Sequence, residues 1–217
     1  MIERTIAAGT HGRYLVEPPA SNGPAPVLFG FHGYAEGAEA QLERMRSIPG
    51  AGGWRLVAIQ GLHRFYQRRD NQVVASWMTR QHRELAIADN LSYVAGVMGE
   101  IAREFPAAPR VVLTGFSQGV AMTFRAAAAS AAPIDAVIAV GGDVPPELDA
   151  RALSRIRAAL VCRGDDDPFY RAETFDSDIR RLREAGAAVR PLQYPGGHDW
   201  SPEVARAAGI FLSESHS

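Results

Sequence analysis

One pentapeptide, Gly115-Phe116-Ser117-Gln118-Gly119, constrains this chain more than any other segment. Before it stands Val111-Val112-Leu113-Thr114, apolar and β-branched, which predicts a short buried strand. After it, Val120-Ala121-Met122-Thr123-Phe124-Arg125-Ala126 and a further alanine tract predict a helix. A strand that passes through so tight a turn into a helix tolerates only small residues beside the serine. It also pushes the serine Oγ out at the carboxyl edge of a sheet. An idle serine in a glycine-rich turn would need neither flank.

Strand-like and helix-like segments alternate on both sides of this turn. Arg13–Glu17, Val27–Phe31, Trp54–Ile59, Arg110–Thr114, Ala136–Val140, Leu160–Arg163 and Val189–Tyr194 read as strands. Helices are expected over Glu39–Ser47, Arg83–Glu104, Ala172–Ala185 and Pro202–Ser213, with Pro106 closing the second. Repeated β-α-β units predict an α/β fold: a doubly wound, mainly parallel sheet with helices on both faces. The 217 residues suit one domain, 1–217, with a single core. The polar stretch from Gln60 to Gln81 reads as a long loop, a kind of segment that often carries function.

A serine hydroxyl is a weak nucleophile and needs a base, and the base needs an acid to orient it. His198, in Pro195-Gly196-Gly197-His198 after the last strand, is the only histidine between Ser117 and His216. Gly164-Asp165-Asp166-Asp167-Pro168 follows the preceding strand, at the same sheet edge as the serine. Among its three aspartates Asp167 is preferred, because the proline after it fixes the backbone that aims the carboxylate. Asp143, which also ends a strand, is the alternative acid. Two amides are expected to face the oxygen that turns negative in acyl transfer. One is Gln118 N–H, at a helix start where amides lack partners; the other is Tyr34 N–H, in the loop Phe31-His32-Gly33-Tyr34. His32 itself reads as a structural loop histidine.

Composition removes other classes. All 23 basic residues are arginine, so Schiff-base chemistry and a P-loop lysine are excluded. A net charge of −1 gives no field to recruit nucleic acid, although Leu62–Arg69 mixes arginines with aromatics as a nucleic-acid patch would. His32, His63 and His82 show no metal-ligand spacing, and no dinucleotide-binding glycine motif follows a strand, so no metal or cofactor is expected. No apolar run predicts a membrane span, and the first residues do not read as a secretory signal. With the single Cys162, these features predict a cytoplasmic protein. The oligomeric state is open, a homodimer included.

Together, His32-Gly33, Gly115-Phe116-Ser117-Gln118-Gly119, Gly164-Asp165-Asp166-Asp167-Pro168 and Gly196-Gly197-His198 resemble the phospholipase/carboxylesterase family of α/β-hydrolases. That family includes acyl-protein thioesterases and many small bacterial esterases. The resemblance runs from about Pro26 to the end of the chain. It implies Ser117 as nucleophile, Asp167 as orienting acid, His198 as base, and the amides of Tyr34 and Gln118 as oxyanion donors. One departure is Tyr34-Ala35-Glu36-Gly37, where the thioesterases carry a loop containing Gly-Asp. The reading is therefore a carboxylic ester hydrolase for small, short- to medium-chain substrates. A lysophospholipase or acyl-protein thioesterase, and a non-catalytic binding protein on the same scaffold, are the alternatives.

The interval between Ala136–Val140 and Leu160–Arg163 is too short for a large helical lid, which predicts an open cleft. Its expected walls are Phe65, Tyr66, Trp77 and Met78 from the 62–83 stretch, with Phe169, Tyr170 and Trp200 beside the acid and base. That stretch also carries Arg64, Arg68, Arg69, Arg80 and Arg83 against the single acid Asp70. Those arginines either attract an anionic substrate group or simply keep the loop in water.

Overall fold

Seven strands form one twisted sheet in the order β1-β3-β2-β6-β7-β8-β9. They are β1 (Arg13–Glu17), β2 (Val27–Phe31), β3 (Arg55–Gln60), β6 (Val111–Phe116), β7 (Ala136–Val140), β8 (Ala158–Gly164) and β9 (Ala188–Tyr194). All neighbours pair in parallel except β1, which runs antiparallel to β3 along the edge. The computed structural model describes residues 1–68, 71–105 and 110–214. Pro106, Arg69, Asp70 and His216, which figure in the sequence reading, lie outside the described residues.

The central strands are buried along their whole length because helices cover both faces. Side chains alternate between the faces with period two. Val27, Phe29, Phe31, Leu113, Val137, Ala139 and Val161 meet α2 (Arg83–Glu104), α3 (Gln118–Ala129) and α5 (Ala172–Glu184). Leu28, Val112, Ile138, Leu160 and Cys162 meet α1 (Ala38–Arg46) and α6 (Pro202–Ser213) on the other side. α6 starts where expected because Ser201 caps it, its Oγ accepting from Val204 N–H, with Pro202 in the first turn.

The chain winds outward in two directions from the pair β2 and β6. From β2 it moves to β3, and from β6 it moves through β7 and β8 to β9. The crevice at the carboxyl ends of β2 and β6 is therefore the topological switch point of the sheet. Phe31 pairs with Gly115 there, so Tyr34 and Ser117 follow adjacent strands at the same edge. Between β7 and β8 the only helix is the four-residue α4 (Ala150–Leu153), so no large lid spans this edge.

The stretch read as a long loop is in part a hairpin. β4 (His63–Tyr66) pairs antiparallel with β5 (Val73–Ser76), outside the main sheet. Buried Asn90 of α2 ties it down, accepting from Leu62 N–H and donating to the carbonyls of Trp77 and Ala86.

Candidate active site

Ser117 stands between β6 and α3 with φ 53° and ψ −122°, a conformation a non-glycine residue adopts only at a cost of roughly 1–3 kcal/mol. Its surroundings enforce it. Ser117 N–H donates to Val140 C=O at 2.9 Å, and Val120 N–H donates to Ser117 C=O at 3.0 Å. The turn presses α3 onto β2 so closely that a Cβ on Gly119 would lie 2.2 Å from the Phe31 carbonyl oxygen. A Cβ on Gly115 would lie 2.3 Å from Thr123 Oγ1. The two glycines of the motif are required by packing.

Loops after β8 and β9 bring two further side chains to this serine. Ser117 Oγ lies 2.8 Å from His198 Nε2, and His198 Nδ1 lies 2.8 Å from Asp167 Oδ2. Asp167 is buried, and its Oδ1 accepts from the amides of Phe169 (2.8 Å) and Tyr170 (3.0 Å). A carboxylate so placed accepts Nδ1–H and leaves the Nε2 lone pair facing the serine hydroxyl. Asp165 and Asp166 are exposed and contribute backbone amides to the carbonyls of Tyr194 and Gly196. Asp143 is exposed on the far rim of the cleft. The imidazole sits between the Phe116 ring (5.0 Å) and the edge of Phe169 (4.9 Å). Arg163, which the sequence reading passes over, braces the acid loop from beneath. It is buried and donates to the carbonyls of Tyr170 (2.7 Å) and Asp165 (3.0 Å).

The amide of Gln118 opens α3 and has no hydrogen-bond partner among the described residues. Around Tyr34 the neighbouring amides are taken: Gly33 N–H by Glu36 Oε2 at 2.7 Å, and Ala35 N–H by Ala75 C=O at 3.0 Å. Tyr34 N–H has none among the described residues. Glu36 is itself gripped by Arg44, whose guanidinium covers the Phe116 ring at 4.1 Å. Burial alone would push the Glu36 carboxyl up, but Arg44 and Gly33 N–H hold it below its ordinary range. His32 is buried beneath this loop, with Nδ1 donating to Gly33 C=O (2.7 Å) and Nε2 accepting from Gly61 N–H (2.9 Å). Burial lowers its pKa, so it is a neutral structural imidazole.

The Gln118 side chain straps the hairpin to the serine turn. Its Oε1 accepts from Trp77 N–H at 3.0 Å, and its Nε2 donates to Met78 C=O at 3.0 Å. Ser117 opens onto a cleft of about 380 Å³ lined by Met78, Ala121, Arg125, Pro146, Phe169 and Tyr170, among others. Of the expected walls, Phe169 and Met78 stand in it, and Tyr170 contributes from a buried position, its hydroxyl donating to Asp178. Phe65 lies beside the loop after β2, its ring 5.8 Å from that of Tyr34. Neither Phe65 nor the exposed Tyr66 lines the cleft, and two further expectations are corrected. Trp77 is a core residue, fully buried, its Nε1 donating to His32 C=O. Trp200 points away from the cleft lining, packs with the α1 and α6 side and donates to Ser47 Oγ. Of the described arginines of 62–83, only Arg83 lines the cleft, and Arg64 is drawn off to His11 C=O. A more apolar cavity of about 490 Å³, between α2 and α3 at the opposite edge of the sheet, contains no part of this constellation.

No helix among the described residues is long and apolar enough to cross a membrane. Nor do three His, Cys, Asp or Glu side chains gather there as ligands of a metal would. The fold, with a serine on a sharp turn at the switch point and a histidine after the last strand, is that of an α/β-hydrolase. Within that class the chain belongs to the phospholipase/carboxylesterase family, whose model matches residues 72–215. Solved structures agree on the fold. Esterase PE8 is 20% identical with a TM-score of 0.74, covering 94% of this chain and 99% of its own. Acyl-protein thioesterase 2 of Zea mays is 16% identical (TM-score 0.73; 94% and 98% covered). The carboxylesterase of Bacillus cereus is 14% identical (TM-score 0.73; 93% of both chains).

Proposed function

We propose that this esterase-type hydrolase cleaves carboxylic esters of small, short- to medium-chain substrates through an acyl-enzyme on Ser117. The observation that carries the reading is the continuous chain Ser117 Oγ, His198 and Asp167, joined by two contacts of 2.8 Å. His198 Nε2 takes the hydroxyl proton as Oγ attacks the ester carbonyl, and Asp167 steadies the imidazolium that forms. The carbonyl oxygen becomes an oxyanion facing the amides of Gln118 and Tyr34. The tetrahedral adduct collapses, the alcohol leaves with the proton from His198, and the acyl group stays on Oγ. Water, deprotonated by the same imidazole, then releases the acid and restores the serine. An intact chain of this kind is what a non-catalytic scaffold protein would have no reason to keep.

A fluorophosphonate probe should label the protein stoichiometrically and only at Ser117, as read by peptide mass spectrometry, with loss of nitrophenyl butyrate hydrolysis in parallel. Hydrolysis that survives full labelling would place the chemistry elsewhere. A series of nitrophenyl esters and acyl thioesters of rising chain length then separates the small-ester reading from the lysophospholipase and thioesterase ones.

A further inference from the structure

We propose that the same cleft holds a carboxylate subsite, built from Arg125 at its floor and Arg83 at its rim, and that the preferred ester ends in a carboxylate on a short spacer. The proposal rests on the esterase reading of Ser117. Arg125 lies on α3, eight residues past Ser117, which is a rise of about 12 Å along the helix. Long side chains on a helix lean back toward its N-terminus, here toward the serine. Ser117, Ala121 and Arg125 line one cleft, so a short chain of methylenes is what would join an ester carbonyl at Oγ to a carboxylate at the guanidinium.

The charge balance around Arg125 is what points to a ligand. Its side chain is only 3% exposed, yet it lines the cleft with Ser117. A buried guanidinium is costly unless its donors are satisfied. One edge is served: Nε and Nη2 both donate to Glu147 Oε1, at 2.8 and 2.5 Å. At the opposite corner Nη1 meets only the Met78 thioether at 3.7 Å, a weak acceptor. Burial draws the Arg125 pKa below the ordinary guanidinium value while Glu147 holds it up. Arg83 stands on the exposed rim with no hydrogen bond or ion pair among the described residues, close enough for its charge to be felt at Arg125.

The acids nearby do not fill this demand. Glu147 is half exposed and already engaged. Asp143 faces water on the rim. Asp178 is buried, where it accepts from Val144 N–H and Tyr170 OH and meets Arg181. The same Arg181 donates to the carbonyls of Val144, Pro145 and Leu148, at 2.9, 3.0 and 2.9 Å. It thereby fixes the rim that holds Glu147, and through it the Arg125 fork, before any ligand arrives. A carboxylate with one oxygen toward Arg125 Nη1 and the other toward Arg83 completes the set.

The test compares mono-(4-nitrophenyl) adipate with the same ester whose free carboxyl is capped as a methyl ester. In the wild type, kcat/KM should favour the charged ester about tenfold or more at low ionic strength, mostly through KM, and the preference should shrink with added salt. Arg83→Ala, on the exposed rim, should cut the ratio several-fold, and Arg125→Met should bring it near one. Calorimetry of adipate with Ser117→Ala gives a readout without turnover. Binding there that disappears in Ser117→Ala/Arg83→Ala supports the subsite even if no ester is cleaved. Equal rates for the two esters in the wild type, or no binding of adipate by Ser117→Ala, would overturn it while leaving the serine mechanism standing.

Discussion

At the scale of single residues, the side chains of Ser117, His198 and Asp167 should not be interchangeable with their neighbours. Ser117→Ala and His198→Ala should each lower kcat on nitrophenyl butyrate by several orders of magnitude, because the members of such a unit fail together. Asp167→Asn should cost orders of magnitude too, since an amide no longer selects the Nδ1–H tautomer. Asp165→Asn and Asp166→Asn, on exposed side chains, should stay within a few-fold. A severe loss in Asp143→Asn with a mild one in Asp167→Asn would reassign the acid. Gly119→Ala is a test of the turn itself. Its Cβ would meet the backbone oxygens of Phe31 and His32 at 2.2 and 2.6 Å, which no side-chain rotation relieves. The variant should lose at least about 3 kcal/mol or fail to fold. Ser117, Asp167 and His198, which the structure brings together, carry marks in the sequence in their chain order and strand-end positions. Arg163 and Arg125 carry none, because a buried arginine that braces carbonyls or a cleft floor has no local pattern to betray it.

The elements around the site show where pattern reading stops. Most strands and helices fall within a residue or two of their expected bounds, since long apolar runs and strong periodicity leave little choice. The β4–β5 hairpin leaves little trace in the sequence because its strands are short, β4 is mostly exposed, and its anchors are polar. Those anchors, Gln118 and Asn90, act through backbone groups distant in sequence. Gln118→Ala keeps the α3 amide but leaves Trp77 N–H without its partner and the Met78 carbonyl with only Ser76 Oγ as donor. It should cost about 1–3 kcal/mol in urea unfolding and raise KM more than it lowers kcat. His32 links the β2 loop to the segment after β3 and supplies a pH signature. Its folded pKa lies below the ordinary 6.5, so the unfolded chain binds the extra proton across that window. Its contribution is therefore complete above pH 6.5 and is lost as pH falls toward the folded value. Between pH 7.5 and 5.0 the wild type should lose more unfolding free energy than His32→Gln. Equal losses would mean that another group sets the slope. Glu36 acts in a lower window, since its contribution is complete above the ordinary 4.5 and fades only as pH falls through its depressed value.

For the molecule as a whole, the switch-point crevice between β2 and β6 sets where Ser117 stands, and the connections decide how much room surrounds it. The doubly wound sheet was legible from the alternation of elements, and Arg13–Glu17 from its composition as a strand; that β1 runs antiparallel was not, because direction leaves no mark on so short a segment. The absence of a large lid follows from the seventeen or so residues available between β7 and β8, of which only α4 is helical. Without a lid to swing aside at an oil–water boundary, activity should rise smoothly with ester concentration through the solubility limit, with no jump at emulsion formation. The cleft itself, about 380 Å³, is near the lower end of small-molecule sites. Phe169 and Tyr170 narrow it at the histidine, and the Arg125–Glu147 pair closes its floor with charge. A long hydrocarbon chain threaded past Ala121 would have to bury methylenes against that guanidinium. Each added methylene would then gain little of the roughly 0.8 kcal/mol that burial in an apolar channel returns. We therefore predict that kcat/KM for neutral nitrophenyl esters peaks between about four and eight acyl carbons and falls beyond. A steady climb to the palmitoyl ester would show that the chain lies along another surface and would favour lysophospholipids or acylated proteins as substrates.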